Sequence, residues 1–192
     1  MESYPFEDSA TPARNTESKL RRADRRVAYT KMALRKALVS LMQDHHISRI
    51  TVKSICEMAD VNRSTFYLHY HDQYHLLHQI EQEVLETLIV RLASQPNTDP
   101  SAPISLEVMT EILEYARENA DLARVLLSEN CDFAFQQDII NLSQVVILGM
   151  DPVYNERTKD YLRLFGVSGC IAIAERWLKD GMLEQPSEIA QL

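Results

Sequence analysis

The sequence predicts an all-α protein, with an N-terminal three-helix domain followed by a C-terminal helical bundle. Three observations carry this. Apolar residues recur at three- and four-residue spacing in segment after segment. No stretch alternates apolar and polar residues as a half-buried strand would. Capping residues (Thr51, Asp72, Ser105 and Asp121) stand where these segments begin.

Residues 1–18 mix Pro, Ser, Thr and charges without periodicity and read as a mobile arm. A first helix is expected from about Asp24 to Asp44, with Leu34, Ala37, Leu38, Leu41 and Met42 as its apolar stripe. Thr51 suits the N-cap of a short second helix carrying Val52, Ile55, Cys56 and Ala59. A turn at Asp60 leads to a third helix, about Asn62 to His69. Asp72 caps a fourth that reaches about Ser94, with Leu77, Ile80, Val84, Leu88 and Leu92 inside. Three prolines between Gln95 and Pro103 mark a loop. Further helices follow: Ser105 to Asn119, Asp121 to Ser128, Asp132 to Leu148 and Asn155 to Lys179. Gly181 stops the last of these, and Pro186 opens a final short turn. The domains expected are 19–75 and 76–192, after the arm.

Composition narrows the chemistry. The chain has 192 residues, 45% of them hydrophobic, enough to bury a core. Its four glycines do not cluster into a phosphate-cradling loop, so no nucleotide-binding fingerprint is present. Cys56, Cys131 and Cys170 are odd in number and far apart, which predicts no disulfide framework and fits a reducing cytoplasm. The apolar run Leu164 to Ala174 is too short for a bilayer, which needs about 20 residues. A soluble, cytoplasmic protein is expected.

Net charge is −8, but it is unevenly spread. Between Arg14 and Lys36 nine basic residues face two acidic ones, whereas from Glu81 onward 8 basic residues face 19 acidic ones. A basic front can neutralise phosphates, and an acidic rear would be repelled by them.

Residues Ile50 to Asp72, ITVKSICEMADVNRSTFYLHYHD, give the sharpest signal. They read as two short helices locked by Val52, Ile55, Ala59, Val61 and Phe66 across a tight turn. The second helix then presents Asn62, Arg63, Ser64 and Thr65 from its N-terminal end, as a recognition helix does in the major groove. Arg63 offers a bidentate fork that suits guanine.

This stretch resembles the TetR/AcrR family of bacterial regulators. The matching pieces are Ile50-Thr51, Ala59-Asp60-Val61, Ser64-Thr65-Phe66-Tyr67, His69-Tyr70, Asp72 and Leu76-Leu77. A second match covers Tyr161 to Ala190, with Glu175-Arg176-Trp177-Leu178, Gly181-Met182 and Pro186, and looks like the C-terminal domain of one subgroup. The resemblance implies a homodimer on double-stranded DNA with a palindromic operator. Asn62, Arg63 and Ser64 would face bases, while Thr51, Lys53, Thr65, Tyr67 and His69 would hold phosphates. Two positions depart from the family pattern: Asp60 stands where glycine is frequent, and Gln73 where a phosphate-gripping lysine is common. Arg21, Arg22, Arg25 and Arg26, placed before the first helix, could then reach a flanking minor groove.

Other residues carry competing readings. Tyr67 and Tyr70 could hold phosphate or pack the third helix. Lys53 could be plain solvated surface. His71, His75 and His78 share one helix face, but no Cys or carboxylate obviously completes a zinc set, so no metal is expected. Cys56 reads as core packing. Gly166, Gly169 and Ala172 lie on a helix that is apolar nearly all round, which is a buried core helix or a dimer seam. The seam is favoured, with Phe165, Ile173 and Trp177, although Trp177 could instead line a pocket.

The function expected is a sequence-specific DNA-binding regulator, a repressor released by a small-molecule effector held between Ser105 and Leu148. The alternative is a regulator or coactivator whose C-terminal domain docks another protein. No catalytic constellation can be assembled, and no cofactor is expected.

Overall fold

The computed structural model describes residues 12–94, 106–128, 131, 133–146 and 154–192. These form helices α1 (Pro12–Met42), α2 (Val52–Ala59), α3 (Arg63–Tyr67), α4 (Gln73–Ser94), α5 (Leu106–Glu118), α6 (Ala120–Leu127), α7 (Phe133–Val146), α8 (Glu156–Lys179) and α9 (Pro186–Ile189). No strand occurs among the described residues.

Local chemistry explains most boundaries. The Thr51 hydroxyl accepts from the Ser54 N–H at 3.1 Å, and Ser54 Oγ accepts from the Thr51 N–H at 3.1 Å, which closes a capping box on α2. Asp72 Oδ1 accepts from the His75 N–H at 2.8 Å and caps α4. Asn155 Oδ1 does the same for α8, accepting from Thr158 N–H at 2.9 Å. The turn between α1 and α2 is a short 3-10 segment, Ile47–Arg49, that buries Ile47.

Three expectations change. α1 begins at Pro12, so 12–18 is helical and not an arm, and the four arginines at 21, 22, 25 and 26 lie within the helix rather than before it. The reason is composition: proline suits a first helical turn, and Ala, Arg, Glu, Lys and Leu that follow are strong helix formers. The cap of α6 lies two residues early, at Asn119, with Asp121 inside the first turn, where a carboxylate complements the helix dipole. α3 is confined to Arg63–Tyr67. The Ser105 cap lies outside the described residues.

The main core joins the α1–α4 head to the rear helices. Leu34, Leu38, Met42, Ile55, Phe66, Leu76 and Ile80 share one buried cluster with Leu122, Val125 and Leu126 of α6 and Phe135 of α7. Each such side chain contributes about 1.5–3 kcal/mol by leaving water. The core thus crosses the division expected at residue 76. A smaller cluster of Leu113, Trp177 and Leu178 ties α5 to α8, with Ile189 of α9 packed against it. The buried carboxylate of Glu81 accepts from the Cys131 thiol at 3.5 Å and lies 3.7 Å from His78 Nδ1.

Candidate nucleic-acid interface

The interface is built on one anchor. Phe66 is 0% exposed and fixes α3 against the head core. Its ring meets the edge of Tyr67 at 5.6 Å and tilts against Tyr70 at 5.5 Å. Five residues cannot form a stable helix alone, so tertiary packing of this kind must hold α3 in place.

The turn before α3 depends on Asp60. Its φ of 52° and ψ of 47° are left-handed, and its position ends α2. The Val61 N–H reaches back to the Cys56 carbonyl at 3.0 Å. Asp is among the few side chains that enter this region readily, which is why the turn forms without glycine.

With the anchor and turn set, the short polar residues face outward. Asn62, Arg63 and Ser64 are exposed, and Thr65 is half-buried. The Asn62 side chain makes no capping bond to α3, leaving its amide for an outside partner. Arg63 lies close enough to Cys56 for its charge to oppose the burial that pushes that thiol up. Tyr67 is 58% exposed. His69 is half-buried, with its ring at 6.2 Å from Tyr70.

Two of the expected phosphate holders have prior engagements. The Thr51 oxygen serves the capping box, and its hydroxyl also lies 3.2 Å from Ser54 Oγ. Lys53 is exposed and 3.7 Å from Glu57, a loose surface pair worth little. Tyr70 is 5% exposed and belongs to the core. Gln73 opens α4, half-buried. Leu68, unremarked in the sequence, is 79% exposed right beside the polar tip. An apolar residue that no stripe claims, next to the expected recognition helix, was the available signal.

The histidine face is occupied internally. His71 and His75 stack at 4.8 Å, and His75 Nδ1 accepts from the His71 N–H at 3.1 Å. His75 Nε2 lies 3.1 Å from Gln79 Nε2. Among the described residues no group of three His, Cys, Asp or Glu side chains could hold a metal ion. Nor is any helix among them long and apolar enough to cross a membrane.

At the far end, α8 divides the seam residues. Phe165 is 81% exposed, Ile173 is 40% exposed, Gly166 is exposed and Gly169 half-buried. Trp177 is the exception. It is 3% exposed, and its ring N–H donates to the Glu184 carbonyl at 3.1 Å. It fills its own subunit's core and cannot belong to an outward seam. An all-round apolar helix gives no phase, so spacing alone could not tell its two faces apart.

Residues 105–192 match the family described as the transcriptional regulator C-terminal region, of the TetR type. The rear of the chain is thus similar to the C-terminal region of TetR-type transcriptional regulators. Solved structures of TetR-type regulators share this fold. A TetR regulator from Streptococcus agalactiae 2603V is 24% identical, covers 88% of this chain and 93% of its own, and superposes with a TM-score of 0.64. NalD, the secondary repressor of the MexAB-OprM multidrug efflux pump in Pseudomonas aeruginosa, is 22% identical, with coverage of 84% and 90% and a TM-score of 0.59. The dihydroxyacetone kinase operon activator DhaS is 19% identical, with coverage of 84% and 90% and a TM-score of 0.53. The Bacillus subtilis (strain 168) protein named uncharacterized HTH-type transcriptional regulator YxbF is 23% identical over 163 residues. The match covers 82% of this chain but 42% of that protein, so the chain spans less than half of that relative's length.

Proposed function

We propose that the chain reads a palindromic operator as a homodimer, each subunit placing α3 in the major groove. The observation that carries this is the outward tip Asn62-Arg63-Ser64 on a helix pinned by the fully buried Phe66. Arg63 takes guanine in this reading, and Asn62 and Ser64 take neighbouring base edges. Thr51, Lys53, Thr65, Tyr67 and His69 hold phosphates that set the register. Leu68 adds an apolar contact of the kind that meets a thymine methyl. Two copies would join through Phe165, Gly166, Gly169 and Ile173. A methyl group added at either glycine meets nothing within 4 Å in its own subunit, so the fold of one copy gives no reason for glycine there.

Regulation in this reading is a population shift. An effector favours one spacing of the two recognition helices and acts only through its differential affinity. Repression with release by a small molecule is the first choice, as NalD is named a repressor. An activator partnered by another protein is the second, since DhaS, of the same fold, is named an operon activator.

The test is selection of bound sequences from a random DNA pool, followed by Arg63→Ala on the selected site and its single-base variants. Discrimination at one guanine should fall by about 1–3 kcal/mol. Unchanged preference would remove Arg63 from the base-reading set.

A further inference from the structure

The geometry points to a second binding site, a cleft between α1 and α4 that takes a small carboxylate with a short apolar body. It lies in the head, on neither the DNA-reading tip nor the helices expected to hold an effector, and does not rest on the function proposed above.

The cleft has a volume of about 350 Å³, in the range that holds small ligands. Its lining divides by chemistry. Met32, Leu76 and Ile80 supply apolar surface, and Lys31, Arg35 and Glu83 supply charge. Two cations therefore face one carboxylate. Arg35 Nη1 pairs with Glu83 Oε2 across the two helices. Lys31, one helical turn away on α1, has no ion-pair partner among the described residues. A single further negative charge would balance the site.

Tyr70 supplies the second, independent observation. It lines the cleft, is 5% exposed, and has its ring held between Phe66 and His75 at 5.5 and 5.9 Å. Its hydroxyl makes no hydrogen bond to any described residue. Buried hydroxyls are seldom left without an acceptor. Burial, and then the Glu83 charge, push this phenol above its ordinary value against the opposing pull of Arg35. It therefore stays protonated and has a hydrogen to donate. A carboxylate accepts from the Tyr70 O–H, the Lys31 ammonium and the Arg35 N–H groups not used by Glu83. The apolar body covers Met32, which is 59% exposed. A bare oxyanion would leave that half of the lining unused.

Benzoate and hexanoate are the probes, titrated into the full chain by calorimetry while the tyrosine ring resonances are followed. Benzamide and inorganic phosphate are the controls, lacking the charge and the apolar body respectively. Saturable binding of the two acids, with the Tyr70 ring shifting, is expected. Tyr70→Phe keeps the ring and removes only the hydroxyl, and should weaken benzoate at least about tenfold. Lys31→Met changes an exposed residue and should do the same, so the test survives any folding defect in the first variant. The proposal is overturned by absence of saturable binding of both acids. It is equally overturned if benzamide or phosphate matches benzoate, or if both variants bind as the parent does.

Discussion

Asp60 shows how one residue sets the aim of the proposed reading head. Its left-handed backbone is what turns the chain from α2 into α3. A β-branched residue resists that conformation, so Asp60→Val should lower stability by about 1–2 kcal/mol, whereas Asp60→Asn should be close to neutral. Urea unfolding of the two variants checks this, and equal losses would show that the carboxylate rather than the backbone matters. Residues of this kind were legible because their work is local. Thr51 and Asp72 cap their helices through N–H groups three residues on, and short-range chemistry is written in short-range sequence. Trp177 was misjudged because its partner, the Glu184 carbonyl, lies beyond the end of α8, and the helix it sits on gives no facing signal.

At the scale of elements, α1 differs most from expectation. As a helix from Pro12, it carries its arginines on a rigid rod, so they cannot thread freely along a groove as an arm would. Arg26 is exposed on that rod. If it meets a phosphate, Arg26→Ala should weaken binding to all DNA sequences alike and reduce the slope of log affinity against log salt by about 1. Fluorescence anisotropy across a salt series measures it, and a sequence-selective loss would point to base contact instead. The stripes of α1, α2 and α4 were readable from spacing, since each has one wet face. The onset of α1 was not, because Pro, Ser and Thr near it fit a loop and a helix start equally well. α3 was placed correctly but drawn too long, as a helix of one turn is defined by its packing on Phe66 and not by its own propensity.

For the whole molecule, the division of labour reads clearly in the charge, basic at the front and acidic behind. The division of the core does not. Leu122, Val125, Leu126 and Phe135 share a cluster with Leu34, Leu38 and Phe66, which joins segments about 55 to 100 residues apart and leaves no trace in local pattern. Assembly belongs at this scale too. Phe165 is the most exposed of the expected seam residues, at 81%. Phe165→Glu puts like charges face to face in two copies and should yield a folded monomer by sedimentation, with operator affinity falling by about a hundredfold or more as one half-site is lost. A variant that stays dimeric would move the seam off this face of α8.

The buried indole of Trp177 has an optical consequence. It is the only tryptophan in the chain, and it sits with Leu113 and Leu178 in the smaller cluster, away from Phe66 and the reading tip. Emission excited at the red edge of protein absorbance therefore comes from one known place, shielded from water and hydrogen-bonded to a single carbonyl. α6 touches both clusters through Val125 and Leu126 on one side and Ala123 and Leu127 on the other. The protein thus carries its own lamp at the rear, wired through one short helix to the end proposed to meet DNA.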